Sequence, residues 1–204
     1  MLPGDQKVLS KSQSLFSAMK WPIVAYTVMA CATIYSWTGG SWFTQHPISM
    51  IIAFVGLAAN ATLIKKIGGY ENTKTHGIMM VGATLVAAYG FYVIYTQKLV
   101  KYAKQIEKNP DFNPHFLTLH GKVGLAVMVG YTSLAIFGAV ALHPDYGFLK
   151  RQHTVRFIHK WAGRALTATS WICCVLGLQS MQKTLAMQLA WGVPLLIFGF
   201  FVLL

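Results

Sequence analysis

The sequence predicts an all-α polytopic membrane protein with six transmembrane helices. Of its 204 residues, 55% are hydrophobic and only 11% are charged, against roughly 25% charged in an average soluble domain. Five windows contain no Asp, Glu, Lys or Arg, and each approaches or exceeds the length of about 20 apolar residues that a bilayer span requires. These windows are Trp21–Ile64, Thr75–Gln97, Val123–Pro144, Ala165–Gln182 and Thr184–Leu204.

The first window is too long for one span and divides into two. Gly39-Gly40, followed by His46-Pro47, supplies the break, because glycine and proline pairs mark turns and loops. Six spans result, and both chain termini therefore lie on the same side of the membrane. The predicted spans are Trp21–Trp37, His46–Ile64, His76–Gln97, His120–Leu142, His159–Met181 and Leu185–Leu204.

The segment before the first span predicts a polar tail. Residues 1–20 are polar with lysines spread through them, whereas a cleavable signal peptide needs a short apolar run and a small-residue cleavage site. We therefore expect a tail over residues 1–20 and one transmembrane domain over residues 21–204. Three cysteines without a C-x-x-C spacing suit neither a disulfide framework nor a zinc site, so we expect buried free thiols at Cys31, Cys173 and Cys174.

The charges are nearly all of one sign, with 17 Lys and Arg against 5 Asp and Glu. Because successive spans alternate in direction, six of the 17 basic residues lie on the side away from the termini, and the other 11 lie on the side of the termini. By the positive-inside rule both termini are cytosolic. Contact with membrane lipid head groups explains the basic charge, and no nucleic acid partner is expected, because no basic cluster belongs to a soluble fold. The six basic residues on the side away from the termini are Lys98, Lys101, Lys104, Lys108, Lys122 and Lys183.

Four of the seven histidines open a predicted span. His46, His76, His120 and His159 begin the second to fifth helices, and ionisable residues at membrane depth are functional candidates. Since neighbouring helices run in opposite directions, His46 and His120 share the non-cytosolic side, and His76 and His159 share the cytosolic side. Two imidazoles are too few for tetrahedral zinc but sufficient for the axial positions of a haem.

Other interpretations of the histidines stay open. They could form the transit path of a metal-ion transporter, or cap helices in a non-redox structural subunit. Every acidic residue lies in the tail or a loop, which disfavours a transporter that needs intramembrane carboxylates.

The two histidine layers are on the order of 25 Å apart along the helices. Aromatic side chains that are candidates for the space between them are Tyr89, Phe91, Tyr131 and Trp171.

The histidine segments "QHPISM", "THGIMM", "LHGKVGL" and "IHKWAGR" resemble the helix starts of the cytochrome b-561 family, over nearly the whole of residues 21–204. The stretch "HFLTLHGKVGL" is most similar to its short animal members, called transmembrane reductases. The resemblance implies a six-helix protein with a four-helix core that holds two non-covalent haem b groups. It implies haem iron ligation by His46 with His120 and by His76 with His159.

The resemblance also implies partners and an activity. Family members take one electron at a time from cytosolic ascorbate to monodehydroascorbate or ferric chelates on the far side, and a homodimer is compatible with it. The arginine-containing apolar motif that some ascorbate-using members carry after the second helix is replaced here by "ATLIKKIGGYENTKTH". A cationic rim attracts an anionic donor. Candidate substrate residues are Lys66, Lys74, Arg156 and Lys160 on the cytosolic side, and His115 and Lys122 on the other.

Overall fold

The computed structural model describes residues 10–182 and 184–203, and within them it is helical with no strand. Residues 1–9 of the predicted tail, Lys183 and Leu204 lie outside the described part. Short turns join the helices except at two longer loops, residues 109–118 before α5 and residues 142–152 before α6. The seven helices are α1 (Lys11–Thr38), α2 (Trp42–Ile67), α3 (Tyr70–Lys101), α4 (Ala103–Lys108), α5 (Leu119–Ala141), α6 (His153–Met181) and α7 (Leu185–Leu203).

Five of these helices, α1, α2, α3, α5 and α7, are long and apolar enough to cross a membrane. The polytopic all-α class is therefore confirmed. The sixth predicted span corresponds to α6, which is also long enough but carries Arg156, Lys160 and Arg164 in its first half. Because of this composition α6 is not among the five helices, so that α6 crosses the membrane stays a prediction.

Helix α1 begins ten residues before the predicted Trp21. Ser10 caps it: the Ser10 hydroxyl accepts from the Gln13 backbone N–H at 3.3 Å, and the Gln13 side chain accepts from the Ser10 N–H at 2.9 Å. This capping box satisfies two backbone donors that the helix itself leaves unpaired. Residues 11–20 of the predicted tail therefore belong to the first helix.

The other helix starts set the depth of the histidines. Helices α3 and α6 each begin six residues earlier than predicted, so His76 and His159 occupy the seventh position of their helices. His120 is the second residue of α5, as predicted, and His46 is the second residue of the α-helical part of α2, which begins at Gln45 after a 3-10 turn over Trp42–Thr44. The predicted break after α1 is confirmed, since Gly39 and Gly40 adopt φ of 65° and 69°, a conformation that only glycine takes without strain.

Helices α2, α3, α5 and α6 form a ring in which each packs on two others, α2 on α3, α3 on α5, α5 on α6 and α6 on α2. Helices α1 and α7 pack outside α2 and α6 and against each other. Hydrogen bonds join these helices. The Trp171 indole of α6 donates to the Phe54 carbonyl of α2 at 3.0 Å, and the Tyr26 hydroxyl of α1 donates to the Trp191 carbonyl of α7 at 2.6 Å. The ring is the four-helix core that the sequence predicts.

Candidate functional site

His46 and His120 face each other across the ring at one end of the bundle. Their imidazole ring centres are 6.2 Å apart and the ring planes are nearly perpendicular, at 85°. An imidazole nitrogen binds a transition metal at about 2 Å and lies about 1 Å from its ring centre, so two axial imidazoles on one iron have centres about 6 Å apart. The pair therefore has the separation that axial haem ligation requires.

Backbone carbonyls fix the tautomer of three histidines. The Nδ1 atom of His46 lies 2.9 Å from the Gly90 carbonyl oxygen, that of His120 lies 3.0 Å from the Cys173 oxygen, and that of His76 lies 3.0 Å from the Ala61 oxygen. A carbonyl only accepts hydrogen bonds, so each Nδ1 carries the proton and donates. Each Nε2 is left with a free lone pair, the state of a metal-ligating histidine.

His159 is held differently. Its Nδ1 is buried and has no hydrogen-bond partner among the residues that the structure describes. Its ring lies over Gly138 of α5, where an added Cβ would come within 3.0 Å of the His159 Cε1 atom. His120 lies over Gly177 of α6 in the same way, again at 3.0 Å. At both glycines an added Cβ would be closer to the imidazole than ordinary van der Waals contact, so the two positions form cradles for the rings.

A cavity of about 790 Å³ opens beside His46 and His120, within the range of cofactor pockets. Its walls are mostly apolar and come from six of the seven helices. Lys98, Lys101 and His115 lie among its lining residues. The volume, the apolar walls and the facing imidazoles together fit a haem.

His115, a predicted substrate residue, lies at this cavity. Its ring stacks on Tyr95 with centres 3.9 Å apart, and its carbonyl accepts from the Lys98 ammonium at 2.8 Å. Burial, and then the charge of Lys98, lower the pKa of His115 below the usual 6.5, so the imidazole is neutral at pH 7. The other predicted residue on this side, Lys122, is exposed and is not among the cavity residues.

The sequence analysis missed Lys98 and Lys101 as site residues. Both were counted only as topology markers of a basic loop, because nothing in their local pattern separates a cavity lysine from a solvated one. Their position at the C-terminal end of α3, on the same side as the start of α5, was the signal that could have identified them.

At the opposite end, His76 and His159 interact electrostatically with each other and both with Lys65, which the sequence analysis did not single out. Lys65 donates to the Thr73 hydroxyl at 2.6 Å, and Lys66 donates to the Phe201 carbonyl at 2.6 Å.

The predicted substrate residues at this end fall into two groups. Lys160 lies within electrostatic range of Lys66, and Arg156 within range of Lys65, and both Lys160 and Arg156 are exposed. Three of the four predicted cations, together with Lys65, therefore gather at the His76/His159 end.

Lys74, the fourth predicted cation, is paired. Its ammonium lies 3.5 Å from a carboxylate oxygen of Asp145 and over the Tyr70 ring, 5.1 Å from its centre. The Tyr70 hydroxyl donates to the same carboxylate. This hydrogen bond, followed by the charge of Lys74, lowers the pKa of Asp145. Lys74 thus tethers the α5–α6 loop to α3, which leaves it less free to meet a substrate.

Three buried aromatic side chains lie between the two histidine layers. Phe54 and Tyr131 have ring centres 5.0 Å apart, and Trp171 bonds to the Phe54 carbonyl. Along α2 the His46 layer and Ala61, which holds His76, are 15 residues or about 22 Å apart. Tyr131 and Trp171 were candidates for this position from sequence, whereas Phe54 was not.

The thiols are free, as predicted. Cys173 is buried, while Cys31 and Cys174 are partly buried. The Cys173 sulfur lies 3.5 Å from the His120 Nδ1 atom. Within residues 10–182 and 184–203, no group of three or more His, Cys, Asp or Glu side chains could hold a metal ion by itself. The donor set at each end is two imidazoles, which suits a metal whose other ligands come from a macrocycle.

An all-helical membrane bundle in which two histidines face each other across a four-helix core is the arrangement expected of a membrane cytochrome that holds haem between its helices. The family model described as eukaryotic cytochrome b561 matches residues 45–184. The chain belongs to this family, and the resemblance seen in its sequence is confirmed. The match spans α2 to α6 and contains all four paired histidines. No curated protein matches the chain.

Family membership establishes the broad activity. The protein is an integral multi-pass membrane oxidoreductase of a family that transfers electrons across membranes through haem b. This favours the electron carrier over the metal-ion transporter and the structural subunit.

Proposed function

We propose that the protein carries single electrons across the membrane through two haem b groups, from cytosolic ascorbate to monodehydroascorbate or a ferric chelate on the far side. His46 with His120 holds one haem, and His76 with His159 holds the other. The observation that carries this proposal is the His46–His120 pair, with ring centres 6.2 Å apart and both Nδ1 atoms bonded to backbone carbonyls.

A haem b bound at each layer supplies a one-electron carrier whose iron alternates between the ferric and ferrous states. The protein's own residues do the rest. Two Nε2 atoms would hold each iron, those of His46 and His120 in one layer and those of His76 and His159 in the other. The carbonyls of Gly90, Cys173 and Ala61 fix the orientation of three of these imidazoles. The Gly138 and Gly177 cradles let the rings approach the neighbouring helix. The packed aromatic layer of Phe54, Tyr131 and Trp171 excludes water from the centre of the bundle.

The donor site is proposed at the His76/His159 end. Lys66, Arg156, Lys160 and Lys65 gather there, and with both termini in the cytosol this end faces the ascorbate pool. Ascorbate is a monoanion, so the cations raise its local concentration and hold it near the haem edge. Arg156 and Lys160 are exposed and are therefore the two that meet it first.

The acceptor site is proposed at the mouth of the cavity beside His46 and His120. Lys98 and Lys101 provide positive charge, which suits anionic monodehydroascorbate or a ferric chelate. His115 is neutral at pH 7 and stacked on Tyr95, so it can exchange a proton or a hydrogen bond with the acceptor. Assembly as a homodimer remains a prediction.

The first test is an absorption spectrum of the detergent-purified protein, recorded air-oxidised, with ascorbate and with dithionite, alongside a pyridine assay of haem per chain. About two haems per chain, largely reduced by ascorbate, is the expected result. Two haems reduced only by dithionite would remove ascorbate as the donor and leave the haem sites. A colourless protein from haem-replete cells would refute the proposal.

The histidine assignments are tested by substitution. We expect His46→Ala and His120→Ala each to lose the haem of one layer, and His76→Ala and His159→Ala that of the other. His153→Ala is the matched control, because His153 is exposed at the first position of α6. It should retain both haems. Full haem content in any of the four variants would contradict the assigned ligand.

A further inference from the structure

A second groove lies on the outer face of the bundle, apart from the cavity beside His46 and His120. It has a volume of about 370 Å³ and is lined by residues of α1, α2 and α3. Trp21, Val24 and Val28, which form its α1 side, are exposed. Because all three helices are long and apolar enough to cross a membrane, the groove opens onto the surrounding lipid.

The groove has the length of one membrane leaflet. Its lining residues on α2 run from Ile52 to Ile64, which is 12 residues or about 18 Å. One leaflet contributes about 15 Å to a hydrocarbon core of about 30 Å. The Gln13 side chain, near the start of α1, donates to the Ile67 carbonyl at the end of α2 at 2.6 Å, so these two helices run antiparallel.

This antiparallel packing places a cation at the outer end of the groove. Thr27 lies against Gly56, where an added Cβ would be 3.1 Å from the Thr27 Cγ2 atom. Lys20 precedes Thr27 by seven residues and Ile64 follows Gly56 by eight, so Lys20 and Ile64 share the His76/His159 end. Lysine near the membrane surface attracts anionic lipid head groups, and the neighbouring Trp21 is a residue type enriched at the membrane interface.

A polar amide lies further along the groove. Asn60 is buried, with 5% of its surface exposed, and it is one helical turn, or about 6 Å, deeper than Ile64. Its amide nitrogen donates to the Gly56 carbonyl at 2.7 Å. A primary amide has two N–H donors, so the second can bind an ester carbonyl, the group that lies just inside the phosphate of a glycerophospholipid.

We propose that this groove binds one anionic glycerophospholipid, with its phosphate at Lys20, an ester carbonyl at Asn60 and one acyl chain along α2 over Gly56. The apolar length, the cation at the interfacial end and the amide one turn deeper follow the order of groups in such a lipid. A sterol carries no negative charge to meet Lys20. The inference does not depend on the proposed function, because none of the four paired histidines lines the groove.

The groove adjoins the segment of α2 that orients His76. Asn60 is followed by Ala61, whose carbonyl lies 3.0 Å from the His76 Nδ1 atom, and Met79 of the groove lies one turn after His76 on α3. A lipid in the groove therefore contacts this stretch of α2 and α3 from the outer side of the bundle.

The experiment is native mass spectrometry of the detergent-purified full-length protein, titrated with dioleoyl phosphatidylserine and separately with dioleoyl phosphatidylcholine. The two probes share their acyl chains, esters and phosphate and differ in net charge. We expect one phosphatidylserine per chain to be retained at lower concentrations than phosphatidylcholine. Lys20→Ala should weaken phosphatidylserine binding about fivefold and leave phosphatidylcholine binding unchanged.

Two matched controls separate the groove from general effects. Lys11→Ala removes the same charge from the exposed first residue of α1, outside the groove, and should bind phosphatidylserine as the wild type does. Val24→Trp fills the groove from its α1 side and should lose the retained lipid. Val129→Trp places the same side chain on the exposed face of α5 and should keep it.

Equal retention of the two phospholipids, or equal weakening by Lys20→Ala and Lys11→Ala, would overturn the inference. Retention of phosphatidylserine by a folded Val24→Trp variant would overturn it as well. Displacement of phosphatidylserine by an equal concentration of cholesterol would assign the groove to a sterol instead. Should Val24→Trp fail to fold, the two lysine variants decide the question. Haem content, measured on the same samples, tests the proposed function separately.

Discussion

Gly177 is the position where a single added side chain should expel a haem. A Cβ at this position would lie 3.0 Å from Cε1, 3.4 Å from Nδ1 and 3.8 Å from Nε2 of His120. Carbon atoms in contact prefer about 3.5–4.0 Å, so even alanine pushes the ring by roughly 0.5 Å. Metal–ligand distances tolerate only about 0.2 Å.

Valine at Gly177 adds two methyl groups beyond the Cβ atom, and the ring must move further. Overpacking of this kind costs about 1–3 kcal/mol, which corresponds to roughly 5- to 150-fold weaker retention of the haem at the His46/His120 layer. We expect Gly177→Val to purify with about half the haem per chain of the wild type, and Gly177→Ala to lie between them. The assay is the pyridine measurement combined with the rate of haem transfer to apomyoglobin.

The matched control is Gly82→Val on α3, because a Cβ at Gly82 meets nothing within 4 Å. It introduces the same residue into a span of the same bundle without touching a histidine, and should retain full haem. Full haem content and unchanged transfer rates in Gly177→Val would refute the view that this glycine makes room for the ligand. Equal losses in both variants would show a general effect of valine instead.

The remaining predictions concern stability and the two ends of the bundle. Tyr131→Phe removes the buried hydrogen bond to the Thr167 hydroxyl at 2.8 Å, and should lower the free energy of unfolding by about 1 kcal/mol with haem content unchanged, as thermal denaturation can check. Lys98→Ala should slow reduction of an external ferric chelate in proteoliposomes and weaken its salt dependence, whereas the exposed Lys122→Ala should not. Asp145→Asn should lower the melting temperature at pH 7. The folded-state pKa of Asp145 is depressed, so the carboxylate stabilises the fold at pH values above the usual pKa of 3.8. This stabilisation is lost as pH falls through the lower folded-state pKa. A difference in melting temperature between variant and wild type that persists below that pH would contradict the reasoning.

Much of the fold followed from the sequence because bilayer thickness imposes a length on every span. The charge-free windows located the helices, and the glycine pair at Gly39-Gly40 divided the first window correctly. The errors were at helix starts. Helix α1 begins at the Ser10 cap, and α3 and α6 also begin before their apolar windows. Polar residues form these first turns, so a hydropathy pattern does not predict them.

The sequence by itself located five spans, predicted a sixth, and identified four histidines that open successive helices. The alternating direction of consecutive helices predicted that His46 shares one membrane side with His120, and His76 the other with His159. These conclusions depend on chain direction and apolar length, which are local properties of the sequence.

Only the tertiary structure decided which groups hydrogen-bond to each histidine and which cations lie near it. The partners of the Nδ1 atoms are backbone carbonyls on neighbouring helices, 15 to 53 residues away in the chain, and the glycine cradles lie opposite the rings they accommodate. Lys98 lies at the cavity, whereas Lys74 forms an ion pair with Asp145. The rotation of each helix about its axis and its register against its neighbours set these contacts, and both are fixed by packing between residues far apart in sequence.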